Sequence, residues 1–249
     1  YNRANLLIKN GKITANNFGD GTKALLCSET YSSIYVYNVE INTNGSAFYP
    51  KGDAAEIVIE NSKINAGVYA VATNSSSVDN YGVKISIKNS ELSTKGYKGE
   101  DGDACTLSIN VSGTLTVEDS IIYGHRTGVL VRAGVANIKN TTISVDLSHA
   151  GGINSYLDNI WGSGNEVPEY PLVVGDTSSN SYNANAVCTL VNVKIVNTSA
   201  SNKDRFIYMA NDGSQYTTEL NYDSDSIGTA YVIRKGSKTY INGIENVGE

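Results

Sequence analysis

The 249-residue sequence predicts an all-β fold, a parallel β-helix wound from three strands per coil. Three observations predict it. One frame of apolar residues recurs around a single Asn or Asp at seven places along the chain. These turn residues are spaced 28, 23, 28, 30, 21 and 52 residues apart, within or near the range of solenoid repeats. The composition is one of strands and turns, with 24 Gly, only 3 Pro and 17 Tyr, the aromatic and β-branched residues favouring pleated surfaces.

The frame places apolar side chains four and two residues before the turn residue and three after it. It reads Leu6, Ile8, Ile13 around Asn10; Ile34, Val36, Ile41 around Asn38; and Ile57, Ile59, Ile64 around Asn61. It continues with Ile85, Ile87, Leu92 around Asn89; Leu115, Val117, Ile122 around Asp119; Ala136, Ile138, Ile143 around Asn140; and Cys188, Leu190, Ile195 around Asn192. Before the turn the apolar positions alternate with polar ones such as Lys9, Glu60, Lys88 and Lys139, the period of a strand with one buried face. After it, small or branched residues (Val39, Ser62, Ser90, Ser120, Thr141) and then Ile or Leu face inward, with Lys12, Glu40, Lys63 or Glu91 between them. The turn residue therefore breaks the alternation once and bends the chain while both strands keep facing one core. Asn and Asp suit that bend because they tolerate left-handed backbone, and stacked Asn side chains can pair in a ladder.

A third strand in each coil follows a Gly-rich or polar link, at residues 23–27, 46–49, 68–72, 104–108, 128–132, 171–175 and 205–210. An eighth, irregular coil begins near Thr217, and residues 230–234 supply a closing strand. The 52-residue interval contains one oversized insertion, residues 146–170, with His149, Tyr156, the only Trp (Trp161) and Tyr170. A leucine-rich repeat also uses an Asn at this length. Its leucines stand at other offsets, however, and no stretch here carries the helical period such a repeat needs. Parallel crossovers are overwhelmingly right-handed, so one right-handed domain of seven or eight coils over residues 1–249 is expected.

Cys27, Cys105 and Cys188 are odd in number and lack metal spacing, so Cys188, at an inward position, reads as a small buried apolar residue. A net charge of −6 argues against a nucleic-acid surface. No run is long enough to span a membrane, and no leader opens the chain. The sequence thus reads as a fragment of a longer surface protein, with neighbouring domains or a partner covering the open coil ends.

The three-strand coil with a single Asn turn resembles the right-handed parallel β-helix of the pectin-lyase-like superfamily. The tracts Gly-Val-Leu-Val-Arg-Ala-Gly, Ile-Lys-Asn-Thr-Thr-Ile and Pro-Leu-Val-Val-Gly-Asp are similar to adhesin-like secreted repeat proteins of bacteria. The resemblance implies an extracellular or cell-surface domain, adhesin-like or structural, that binds a polysaccharide or a host or bacterial surface protein. The alternatives it implies are a polysaccharide-active lyase or glycoside hydrolase, or a tailspike-like phage domain, because this fold carries many functions. The lyase pattern of an Arg near a Pro is not met by Arg3, Arg126, Arg132, Arg205 or Arg234 relative to Pro50, Pro168 or Pro171. The hydrolase pattern reduces to Asn202-Lys203-Asp204 and an isolated Gly124-His125-Arg126. No catalytic residue is therefore assigned.

The candidate binding residues are Trp161, Tyr156, Tyr170 and His149 in the insertion, with His125, Arg126 and Arg132 on neighbouring coils. Links of one class should bring them, and residues 95–103, to one side of the stack. Arg132 beside Arg126 would form a basic spot suited to an acidic sugar or to Asp101 and Asp103. Glu100, Asp101 and Asp103 are candidate oxygen ligands for Ca²⁺, the one cofactor considered, with a solvated acidic turn as the plainer reading. Tyr35 and Tyr37, at outward strand positions, mark a second face to which binding would fall if the insertion proved uninvolved.

Overall fold

Every turn residue of the frame adopts left-handed backbone in the computed structural model: φ is 54° at Asn10 and Asn38, 48° at Asn61, 47° at Asn89, 50° at Asp119, 49° at Asn140 and 51° at Asn192. The structure describes residues 4–15, 24–73, 81–95, 105–145, 160–161, 165–166, 170–176, 184–198, 206–211, 215–226 and 232–247. Across each turn the chain passes from one file of parallel strands to a second, and a third file completes the repeat.

The first file lies before the turns. Asn5–Ala15 pairs with Ser33–Thr43, and then Glu56–Glu60, Tyr81–Lys88, Cys105–Glu118, Thr127–Lys139, Ala186–Val191, Thr218–Tyr222 and Thr239–Ile241 follow in parallel series. The second file lies after them. It takes the far halves of Asn5–Ala15 and Ser33–Thr43, then Lys63–Ala66, Glu91–Thr94, Ile121–Gly124, Thr142–Val145 and Lys194–Asn197. The third file runs Ala24–Ser28, Ser46–Pro50, Val71–Ala72, the leading halves of Cys105–Glu118 and Thr127–Lys139, Leu172–Asp176, Ile207–Asn211 and Val232–Lys235. No helix occurs among the described residues. This all-β, largely parallel arrangement fits a β-helix solenoid, and the third strands fall within a few residues of the positions the sequence indicates.

The core is made of columns in register. Ile13, Ile41, Ile64, Leu92, Ile122, Ile143 and Ile195 stand one above another, and from Ile41 onward all are buried. Ile34, Ile57, Ile85, Leu115, Ala136, Cys188 and Leu220 form another such column. Like residues stack because every rung repeats the same backbone position about 4.8 Å along.

Two polar ladders line the bend. Asn38 Nδ2 donates to Asn10 Oδ1 at 2.9 Å, Asn140 Nδ2 to Asp119 Oδ1 at 2.9 Å, and Asn192 Nδ2 to Asn140 Oδ1 at 3.0 Å. The second ladder is buried and starts one residue later. The backbone N–H of Val39 donates to Ser62 Oγ, that of Ser62 to Ser90 Oγ and that of Ser90 to Ser120 Oγ, each at 3.1 Å, and that of Ser120 to Thr141 Oγ1 at 3.3 Å. Each hydroxyl in turn donates to the carbonyl two residues back, at 2.7–2.8 Å. These residues read from sequence as merely small. Their hydroxyls occupy N–H groups that the bend removes from strand pairing, groups too costly to leave unmet when buried.

Two departures from the regular pattern follow from local chemistry. Cys105–Glu118 and Thr127–Lys139 run straight from the third file into the first, with register shifts at Asn110. Asn110 is buried there, and its N–H donates to Thr73 Oγ1 at 2.8 Å. At the matching point Gly134 has φ +85°, and a Cβ would stand 2.6 and 2.7 Å from the carbonyl oxygens of Val111 and Gly113. After Thr239–Ile241 the Asn242-Gly243 turn, with both φ positive, folds Ile244–Glu245 back antiparallel onto that strand. This pairing is the kind such turns favour.

Candidate functional site

The outer sides of the first and third files differ in a way that decides where a ligand can reach. On the first file the residues three before each turn form an outward column: Leu7, Tyr35, Val58, Ser86, Thr116, Asn137 and Thr189. The residues one before the turn form another: Lys9, Tyr37, Glu60, Lys88, Glu118, Lys139 and Val191. Near the first rungs these columns enclose a groove of about 570 Å³, lined by Asn5, Leu7, Lys9, Tyr35, Tyr37, Val58 and Glu60. Leu7, Tyr35 and Tyr37 are 56%, 36% and 42% exposed. Three large apolar groups at water-facing positions of one sheet surface form a patch rather than scatter.

The Tyr35 ring is held in place. Its hydroxyl donates to Glu56 Oε2 at 2.9 Å, reaching from its own rung to the next. That bond raises the Tyr35 phenol above the ordinary tyrosine range, because ionisation would remove the proton it donates to Glu56. A second, smaller groove of about 240 Å³ lies further along the same surface, lined by Thr116, Glu118, Asn137, Lys139, Thr189 and Val191. Elsewhere the outward charges pair along their columns. Lys12 meets Glu40 at 2.8 Å, Lys63 meets Glu91 at 2.7 Å, and Lys88 meets Glu118 at 3.3 Å. Lys12 beside it, with Asn42, holds the Glu40 carboxyl below the usual carboxylate range.

From Val71–Ala72 to Leu172–Asp176 the third file is covered on its outer side. Val68, Tyr69, Ala72, Cys105, Leu130, Tyr170 and Val173 form a second apolar core there, with Tyr208 and Ile233 against it. The Tyr170 and Tyr208 rings lie 5.2 Å apart at 34°. Strand alternation does turn Arg132 outward beside Leu130, but Arg126 and Arg132 are only 3% and 4% exposed. The surface basic spot expected from the sequence is therefore replaced by two buried guanidinium groups. The expectation failed because period-two reasoning tells inside from outside but not whether the outside is itself covered. His125 is half-buried, and its backbone N–H donates to Thr94 Oγ1 at 3.2 Å.

Tyr170 thus packs rather than presents itself. Trp161 lies in a short antiparallel pair, Ile160–Trp161 with Asn165–Glu166. His149, Tyr156, Glu100, Asp101 and Asp103 lie outside the described residues. Among the described residues no group of three or more His, Cys, Asp or Glu is arranged to hold a metal ion, and no helix is long and apolar enough to cross a membrane. Cys27 is exposed, and Cys105 and Cys188 are buried, and none of the three is joined in a disulfide. Burial pushes the Cys188 thiol up to about 12, so it packs without reacting.

Sequence reasoning placed Tyr35 and Tyr37 outward but did not join them to Leu7 and Val58. The signal was present three residues before each turn, where the first three copies carry apolar side chains and the next four carry Ser, Thr or Asn. Compared with protein-family models, curated proteins and solved structures, the chain has no significant match in any of the three.

Proposed function

We propose that the chain is a non-catalytic binding domain of a secreted or surface-displayed bacterial protein, adhesin-like, folded as a right-handed β-helix of the pectin-lyase-like kind. The observation that carries this reading is the first file's outer surface. A rigid parallel sheet there holds Leu7, Tyr35 and Tyr37 open to solvent beside polar residues of both signs, the make-up of a recognition surface. Handedness rests on the general preference of parallel crossovers.

The test is a glycan and surface-protein array run beside a turnover screen on neutral and acidic polysaccharides. The screen follows new reducing ends and unsaturated products. Retention of a ligand without turnover is the expected result. Release of product by the purified chain would replace this reading with that of a lyase or glycoside hydrolase.

A further inference from the structure

We infer that the outer surface of the first file is a track for a neutral polysaccharide chain running along the stacking axis, anchored on Tyr35 and Tyr37. This rests on the reading of the domain as a binding module, and it names the place and the ligand class. A pyranose ring offers an apolar C–H face and a rim of hydroxyls. It therefore selects a flat aromatic platform beside polar groups. The groove provides both. The Tyr35 ring is fixed across two rungs by its bond to Glu56, with Leu7 on one neighbouring rung and Val58 on the other. Tyr37 stands two residues along the same strand, about 6.8 Å away by strand geometry.

Charge selects among saccharides. Lys9 lies at one side of the groove and Glu60 at the other, with Glu56 at the start of Glu60's strand, on a chain of net charge −6. A polyanion would meet two carboxylates, and a polycation would meet Lys9. Hydroxyl groups can donate to the carboxylates and accept from the ammonium. A groove of about 570 Å³ falls in the range of small-ligand sites.

The column continues past the groove. Ser86, Thr116, Asn137 and Thr189 follow Val58 in register, offering a hydroxyl or amide roughly every 4.8 Å. The second groove, over Thr116, Asn137 and Thr189, lies about 19 Å from the first, four rungs on. A repeating polymer fits a repeating row of hydrogen-bonding groups, and two grooves on one line fit a chain longer than a disaccharide.

Isothermal titration with the whole chain tests this. The probes are neutral hexasaccharides (β-1,4-linked glucose, mannose and xylose), the matching disaccharides, and a galacturonate hexamer as acidic control. At least one neutral hexamer should bind, more tightly than its disaccharide and than the galacturonate. Tyr35→Ala/Tyr37→Ala should weaken it about tenfold or more, as loss of aromatic anchors does. Tyr35→Phe, which keeps the ring, should weaken it by less than about threefold. An unchanged thermal unfolding curve for the double variant is expected, because both side chains point to water. If an array ligand binds as tightly to the double variant, or galacturonate binds best, the track is wrong and the binding-module reading stands. If no saccharide binds and polysaccharide is cleaved, both fall. If no saccharide binds and sedimentation shows a dimer that the double variant loses, the face is a self-association surface and the track is again wrong.

Discussion

At the bend of each repeat, Asn89 and Ser90 divide the work between conformation and hydrogen bonding. Asn89 holds φ at 47°, and Ser90 Oγ accepts from Ser62 N–H while donating to the Lys88 carbonyl. Asn89→Gly, which takes left-handed backbone freely, should cost less than Asn89→Ala, itself about 1–2 kcal/mol. Ser90→Ala should cost about 1–3 kcal/mol because it leaves the buried N–H of Ser62 unmet. Leu92→Ala in the fully buried column should cost about 2–5 kcal/mol and exceed the Asn changes. Urea midpoints of the four variants check the order, and Asn89→Gly falling below Leu92→Ala would contradict it. Thiol labelling offers a second check: in the native protein Cys27 should react, while Cys105 and Cys188 should react only after unfolding. A third concerns acid. Asp223 accepts from the backbone N–H groups of Ser226 at 2.9 Å and Asn192 at 3.1 Å. Hydrogen bonds, the largest from Ser226, hold its carboxyl below the usual range. A depressed pKa means this contribution is present above the ordinary carboxylate pKa and is lost as pH falls through the lower, folded value. A carboxyl ¹³C titration should show Asp223 protonating below a free aspartate, and Asp223→Asn should flatten the acid limb of the stability curve. The Asn turns were legible because one residue type recurs at one conformational break. The hydroxyl ladder was not, because Val39 and Val193 occupy the same slot as Ser and Thr and hide the hydrogen-bonding role behind a size preference.

At the scale of strands, the first two files were legible from alternation alone, since each has one wet side and one dry side. The third was found through its links, and its outer side was misjudged. Leu130 and Val173 stand on the outer side of their strands by alternation, yet they belong to a second core. Outward apolar residues on adjacent rungs signal either a covered face or a binding face, and a single sequence does not tell which. Leu130 and Val173 fall on the covered side; Leu7 and Tyr35 fall on the open one. The two long strands of the third and first files depend on Gly134. Gly134→Ala should destabilise by roughly 1–3 kcal/mol or more, because the added Cβ meets backbone carbonyls of the rung below and the φ of +85° is closed to it. Thermal or urea unfolding measures this, and a neutral effect would show that the bend there is not needed. The alternating Lys12, Glu40, Lys63 and Glu91 column contributes little stability at such exposure. It does penalise a one-rung slip, which would set like charges side by side.

For the molecule as a whole, periodicity was readable wherever the chain repeats and fell silent where it departs from the repeat. Residues 146–170 were recognised as an insertion by spacing, but its aromatic residues carry no period from which to derive a placement. Tyr170 turned out to pack against Tyr208. Most of the insertion on which a binding face was expected lies outside the described residues, whereas on the first file regular geometry fixes which side chains share a surface. All of this depends on one claim, that successive turn residues begin successive rungs of a single parallel stack. Spin labels at Lys12 and Lys194 in a Cys27→Ser background test it most directly. These sites are outward on the second file and six rungs apart by register. The stack predicts a narrow distance distribution centred near 29 Å, roughly six strand spacings, widened only by the label arms. A broad distribution, or a maximum below about 20 Å, would mean that these turns do not stack in chain order.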